Sequence, residues 1–120
     1  MARRKSLAFL DVGQGDCFVA DTKSGAIIFD GGSSSEDQVG RYRILPYMKY
    51  LGYQKIQIAV ISHMDIDHYS GIKELLEMGK IKYLGLPEIP KDATMKKIIG
   101  IAKKRGTTIF YLSRGRQITT

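Results

Sequence analysis

Two histidines and two aspartates fall within six consecutive positions near the middle of the chain: His63, Asp65, Asp67 and His68. Imidazole nitrogens and carboxylate oxygens bind zinc at about 2.0–2.2 Å, and two adjacent ions can share such ligands. A divalent metal held here would lower the pKa of a water molecule and polarise a phosphoryl or carbonyl oxygen. The residue types therefore predict a hydrolytic metal centre, and the mixed ligand set admits zinc, manganese or iron.

The geometry expected for this hexapeptide is a short loop. His63, Asp65 and Asp67 would share one face if the preceding strand continued, and a sharp turn would bring His68 beside them. The alternative is a polar turn in which Asp67 caps a helix and the histidines are incidental. It is less favoured, because the hexapeptide holds both histidines of the chain.

Apolar patterning places this loop between a strand and a helix. The near-continuous apolar run before His63 is typical of a strand covered on both faces, and Gly79 is a suitable end for the helix that follows. Pro46 indicates that an earlier helix becomes regular close to that residue. Strands are predicted over 6–12, 17–22, 26–30, 55–62, 81–86 and 107–112, with a further strand up to 120, and helices over about 39–51, 70–79 and 93–105. An antiparallel meander followed by alternating helices and strands predicts an α/β (α+β) fold.

Composition fits one globular domain with a basic surface. The 120 residues are 43% hydrophobic and 26% charged, and the formal net charge is +7. This charge suits a polyanion such as DNA, although a solvated surface accounts for it equally well. No apolar stretch approaches the roughly 18 residues of a membrane span, so membrane contact by this chain is not expected. Cys17 is the only cysteine and lies in an apolar stretch, which predicts a packed thiol.

The wider sequence resembles a known family. The hexapeptide is similar to the His-x-His-x-Asp-His motif of the metallo-β-lactamase fold, with aspartate at the second histidine position, and Asp30-Gly31-Gly32 resembles that superfamily's earlier aspartate motif. Together with residues 10–16 and 62–71, these motifs resemble the hydrolase-like domain of the ComEC family of DNA-internalisation competence proteins and their stand-alone relatives. The resemblance implies an αββα sandwich, of which this chain would form the N-terminal half: a mixed sheet with helices on one face.

The same resemblance implies roles for individual residues. His63 and Asp65 would bind one metal ion and Asp67 and His68 a second, with Asp67 also orienting the attacking water. A supporting shell would comprise Asp30 and the loop of Gly13, Gln14, Gly15 and Asp16. Asp16 would hydrogen-bond a ligand histidine. Without the resemblance, ordinary turn chemistry accounts for Asp16 and Asp30.

The family's site is completed by a later histidine, a bridging aspartate and a final histidine, and no histidine follows His68. The later acids stand in helical or proline-rich contexts unlike the family's: Glu74, Glu77, Glu88 and Asp92. We therefore expect residues 1–120 to form a single, truncated domain with low metal affinity and no activity in isolation. Half a sandwich exposes one sheet face, which predicts a homodimer or swapped oligomer.

The function predicted for the parent protein is that of a metal-dependent phosphodiesterase acting on DNA in competence-related uptake. A hydrolase of small esters or lactams would use the same metal chemistry. A non-catalytic module that binds nucleic acid or protein is the third alternative. In a ComEC-like membrane protein the domain would be extracytoplasmic, and in a stand-alone relative it would be cytoplasmic.

Overall fold

The computed structural model describes residues 6–15 and 17–112, and within them the chain forms one six-stranded mixed sheet whose strands lie in chain order. The strands are β1 (Ser6–Phe9), β2 (Cys17–Thr22), β3 (Gly25–Gly31), β4 (Ile56–Val60), β5 (Ile81–Pro87) and β6 (Thr108–Leu112). Strands β1 to β3 pair antiparallel, and β3 to β6 pair parallel. The predicted meander and its α/β continuation are confirmed.

A helix connects each pair of parallel neighbours: α1 (Leu45–Leu51), α2 (Ile66–Glu77) and α3 (Ala93–Arg105). A π-helical turn, Gly40–Ile44, leads into α1, so the regular helix begins next to Pro46 as predicted. Gly106 ends α3 in the left-handed conformation. Because the strand order never reverses and crossovers share one hand, all three helices lie on the same face of the sheet. A mixed sheet with helices on one face is therefore confirmed.

The core lies between these helices and the sheet. Neighbouring strands place Val19, Ile28, Ala59 and Leu84 in one row across the sheet. All four side chains are buried, and Ile72, Leu75 and Leu76 of α2 belong to the same cluster. Each fully buried aliphatic side chain of this size stabilises the fold by about 1.5–3 kcal/mol. The core thus packs α2 against the sheet, and against β3 in particular.

The opposite face of the sheet is not covered by the helices. Phe9, Phe18 and Phe29 stand side by side there, with successive ring centroids 4.8 and 5.9 Å apart. Phe9 is 83% exposed and Leu7 is 70% exposed. Self-association through this face stays a prediction, and a monomeric mass at micromolar concentration would contradict it.

Four further sequence predictions concern single features. Cys17 is buried, and burial together with the nearby charge of Asp30 raises the pKa of its thiol to about 12, so the packed thiol is confirmed. Among the described residues, no helix has the length and apolar character that crossing a membrane requires. Asp16 and the strand predicted after residue 112 lie outside the described residues.

Candidate metal centre

The hexapeptide lies where β4 ends and α2 begins, at the carboxyl end of the parallel strands. The prediction that one loop holds all four side chains is wrong, because α2 starts at Ile66 and not near residue 70. His63 and Asp65 lie in the connection, whereas Asp67 and His68 lie in the first helical turn. A first turn tolerates polar residues, and a negative charge there interacts favourably with the helix dipole.

Asp65 directly precedes α2. Its position corrects the alternative interpretation in which Asp67 caps this helix. Asp65 has an extended backbone, and its carbonyl oxygen accepts hydrogen bonds from His68 N at 2.9 Å and Tyr69 N at 3.2 Å. Its side chain makes no capping hydrogen bond. The N-cap position therefore belongs to Asp65 rather than Asp67, and both carboxylates are left for other partners.

Three of the four predicted ligands converge. One ligand atom each from Asp65, Asp67 and His68 lies within 4.8 Å of the others. Nε2 of His68 lies 3.9 Å from Oδ1 of Asp67. Two donors on one tetrahedral zinc ion are about 3.4 Å apart, since each metal–ligand bond is about 2.1 Å. Small side-chain rotations would therefore bring these three groups onto a common ion.

His63 lies beside this cluster rather than in it. Its ring centroid is 5.2 Å from that of His68, with the planes inclined at 41°. Asp65 groups with Asp67 and His68 in this arrangement. Assignment of His63 with Asp65 to one ion, and of Asp67 with His68 to another, stays a prediction.

Asp30 is the carboxylate that connects the histidines to the sheet. It lies in β3, the parallel neighbour of β4, and has a left-handed backbone with φ of 57°. Its carboxylate accepts hydrogen bonds from Ser62 N at 2.8 Å and Ser62 Oγ at 2.7 Å. Its Oδ2 also lies 3.5 Å from Nδ1 of His68. A carboxylate behind a ligand imidazole orients the ring, and this supporting role stays a prediction for Asp30.

Ser62 links Asp30 to His63 by hydrogen bonds, a role that the sequence analysis did not predict. Ser62 Oγ lies 2.9 Å from Nδ1 of His63. Ser62 Oγ donates its single proton to Asp30, so Nδ1–H of His63 donates to Ser62. This tautomer leaves Nε2 of His63 with a free lone pair for a metal. The sequence signals for Ser62 were its position between the apolar strand and His63 and its place at the start of the segment 62–71 that resembles the ComEC family.

Glycines allow the end of β3 to contact α2 through backbone atoms. A Cβ atom on Gly32 would lie 2.4 Å from Ile66 O and 2.7 Å from Ser70 N. A Cβ on Gly71 would lie 2.8 Å from Gly31 O. The Asp30-Gly31-Gly32 segment therefore sets both the supporting carboxylate and the position of the helix that carries Asp67 and His68.

The predicted loop of Gly13, Gln14 and Gly15 packs against the chain that follows Asp30. A Cβ on Gly15 would lie 2.0 Å from Gly32 O. Gln14 N donates to Ser35 Oγ at 2.8 Å, and Gln14 O accepts from Ser34 N at 2.8 Å. The left-handed turn at Gly13 begins the loop, with φ of 79°. Its contribution is thus backbone support for the chain after Asp30.

Two of the later acids have structural partners. Glu74 accepts a hydrogen bond from Gly40 N at 3.2 Å, and burial raises the pKa of its carboxyl group. Asp92 caps α3 by accepting from Met95 N at 2.8 Å. These contacts agree with the expectation that the two acids do not replace the family's later ligands.

Comparisons with known proteins agree with this geometry. The Metallo-beta-lactamase superfamily matches residues 10–116. ComE operon protein 3 of Bacillus subtilis (strain 168) is 29% identical over 124 aligned positions, which cover 88% of this chain and 16% of that protein. The chain thus spans less than a fifth of the length of this relative. The match confirms the predicted resemblance to competence proteins. Since the family match includes β2 to β6 and every candidate ligand, the chain belongs to the metallo-β-lactamase superfamily.

Proposed function

We propose that this chain supplies part of a divalent-metal hydrolase centre that cleaves phosphodiester bonds of DNA during competence-related uptake. The observation that carries the proposal is the convergence of Asp65, Asp67 and His68 in front of Asp30. These donors are nitrogen and oxygen atoms only, a set that suits zinc, manganese or iron. The native centre would hold two such ions.

The chain's own residues would position the reactants. A bound divalent metal would supply acidification of water and polarisation of the phosphoryl oxygen. Asp67, half-buried in the first turn of α2, would accept a hydrogen bond from the attacking water and orient it. Asp30 would hold Nδ1 of His68, and Ser62 would hold Nδ1 of His63, so that both rings present Nε2.

Charge and resemblance support DNA as the substrate class. A net charge of +7 attracts a polyanion, and phosphate contacts make such binding strongly salt-dependent. A small ester or lactam carries at most a few charges and gains much less from this basic surface than a polyanion does, although the same metal core would hydrolyse it. The similarity to DNA-internalisation proteins adds to the same conclusion.

For the isolated 120-residue chain we propose weak metal binding and no turnover, because His63 and His68 are its only histidines. Activity would then belong to the native polypeptide that carries these residues. In a ComEC-like membrane protein the centre would be extracytoplasmic, and in a stand-alone protein it would be cytoplasmic.

The test is cleavage of labelled DNA by the native polypeptide with manganese or zinc. We expect Asp67→Ala and His68→Ala to lower the rate at least about 100-fold, since each removes a positioning group at the reacting centre. Asp37→Ala, which removes an exposed carboxylate, should have no effect. Unchanged cleavage in the two site variants would contradict the proposal, and preferred turnover of nitrocefin would favour the lactam alternative.

A binding module is the second candidate, and the presence of only two histidines favours it for the isolated chain. In that case DNA binding would weaken with salt but survive both chelation and the loss of His63 and His68. Absence of cleavage by the native polypeptide, together with such binding, would replace the catalytic proposal by this one.

A further inference from the structure

A second charged region lies at the amino end of the parallel strands, opposite the metal centre. A groove of about 270 Å³ opens there between β4, β5, β6 and the end of α3. Three cations line it: Lys55 directly precedes β4, Lys82 lies in β5, and Arg105 ends α3. We call this the basic groove. Three successive units of the fold thus bring positive charge to one place.

No acidic side chain of the described residues neutralises the basic groove. All three cations are exposed, and no aspartate or glutamate within residues 6–15 and 17–112 lines the groove. Among the described residues, none of the three lies within 4.0 Å of a carboxylate oxygen. Favourable interaction with a helix C-terminus explains Arg105, but Lys55 and Lys82 are not on helices. Anion binding accounts for all three.

An aromatic ring at the same groove narrows the class of anion. Tyr83 follows Lys82 in β5 and lies on the other side of the strand, on the sheet face that the helices leave uncovered. Both residues line the groove at the edge of the sheet, and Tyr83 is 41% exposed. Thr108, its partner on β6, is also exposed. Cations beside an exposed aromatic ring are the combination that binds single-stranded nucleic acid, because phosphates contact the cations and an unpaired base stacks on the ring.

We propose that the basic groove binds the phosphate backbone of single-stranded nucleic acid, with a base stacked on Tyr83. The inference rests on the proposed function, since it locates where the same substrate class is held away from the metal centre. The five residues of β4 separate the two regions by roughly 17 Å. Binding at the groove therefore needs no metal.

The test measures binding of a fluorescein-labelled 20-nucleotide oligothymidine to the 120-residue chain in EDTA, by fluorescence anisotropy over a range of salt. The groove variant combines Lys55→Gln, Lys82→Gln and Arg105→Gln. The matched control combines Lys49→Gln, Lys96→Gln and Lys97→Gln, three exposed cations outside the groove with the same change in net charge.

We expect the groove variant to bind at least about 10-fold more weakly and the control less than about 3-fold more weakly. The slope of log K against log salt should fall by about two in the groove variant, since each lost phosphate contact on a single strand contributes about 0.7. Tyr83→Leu should weaken oligothymidine binding about 5-fold or more without affecting an abasic oligomer of the same length. Retained thermal unfolding temperatures would show that each variant is folded.

Equal weakening in both triple variants would overturn the proposal, because the charge would then act diffusely. Binding that depends on the groove only with vesicles of phosphatidylcholine and phosphatidylglycerol, and not with oligothymidine, would also overturn it in favour of a lipid surface. Groove-dependent binding without DNA cleavage by the native polypeptide would support the groove and contradict the proposed catalysis. Cleavage of DNA without groove-dependent binding would support the proposed catalysis and contradict the proposed role of the groove.

Discussion

The two ends of the parallel strands are built on different principles. At the carboxyl end, Gly15, Gly32 and Gly71 bring backbone segments together so closely that an added Cβ would lie within 3.0 Å of a carbonyl oxygen. At the amino end, Gly79 and Gly106 have left-handed backbones, and an added Cβ there would have no atom of the described residues within 4 Å. Close backbone contacts define the carboxyl end, whereas clustered positive charges define the amino end.

This difference matches what each region is proposed to do. Orienting a reacting water and two imidazole rings requires positions fixed to a fraction of an ångström. Holding a phosphate backbone requires flexible point charges, a task that lysine side chains perform without a fixed geometry.

Alanine substitution of one glycine at each end tests the contrast most directly. Gly32→Ala should lower the free energy of unfolding by about 3 kcal/mol, because backbone atoms of α2 occupy the space of the new methyl group. Gly79→Ala should cost only about 1 kcal/mol, the strain of a left-handed backbone in open space. Urea unfolding gives both values. Equal losses would contradict the contrast.

Asp30→Asn tests whether the carboxyl end is organised by a charge behind the histidines. The amide keeps an oxygen for Ser62 but removes the negative charge 3.5 Å from Nδ1 of His68. We expect zinc affinity to fall about 10- to 100-fold, measured by competition with a coloured chelator. Asp37→Asn is the control at an exposed carboxylate. If both variants bind zinc as the native chain does, Asp30 has no supporting role.

Ser62→Ala tests the inferred His63 tautomer. Loss of the hydroxyl leaves Nδ1 of His63 without its 2.9 Å partner. We expect a fall in zinc affinity of less than about 10-fold, smaller than for Asp30→Asn, because only one ring is released. Nitrogen NMR should show His63 protonated at Nδ1 in the native chain and a mixture of tautomers in the variant. Ser24→Ala, in the β2–β3 turn, should change neither quantity.

Glu74→Gln should produce the smallest effect. Burial raises the folded-state pKa of Glu74 above 4.5, so the folded chain binds the proton more tightly than the unfolded chain and stability falls as pH rises through this range. Glutamine keeps an oxygen for Gly40 N and removes the charge. We expect a gain of no more than about 0.5 kcal/mol at pH 7, limited by solvent screening.

The gain from Glu74→Gln should shrink as pH falls towards 4, where native Glu74 also becomes neutral. Urea unfolding of both chains at pH 4 and pH 7 measures it. A gain that is independent of pH would show that the charge of Glu74 is not its cause.

Most secondary structure was predictable because its signals are local. The apolar run before His63, Pro46 at the start of α1 and Gly106 after α3 each lie within the element they define. The start of α2 was missed for a local reason too. The first turn of a helix has free N–H groups and accepts aspartate and histidine, so residues 65–68 have the composition of a loop.

Residue types and their spacing were sufficient to predict the candidate ligands, the family and the basic character of the chain. The spatial arrangement of these residues follows from the way the strands pack in the sheet. Asp30 contacts Ser62 across 32 positions because β3 and β4 are parallel neighbours whose carboxyl ends meet. The basic groove likewise joins Lys55, Lys82 and Arg105 through the order of strands in the sheet. A local sequence pattern cannot predict these contacts between distant residues, because they depend on which strands lie side by side in the sheet.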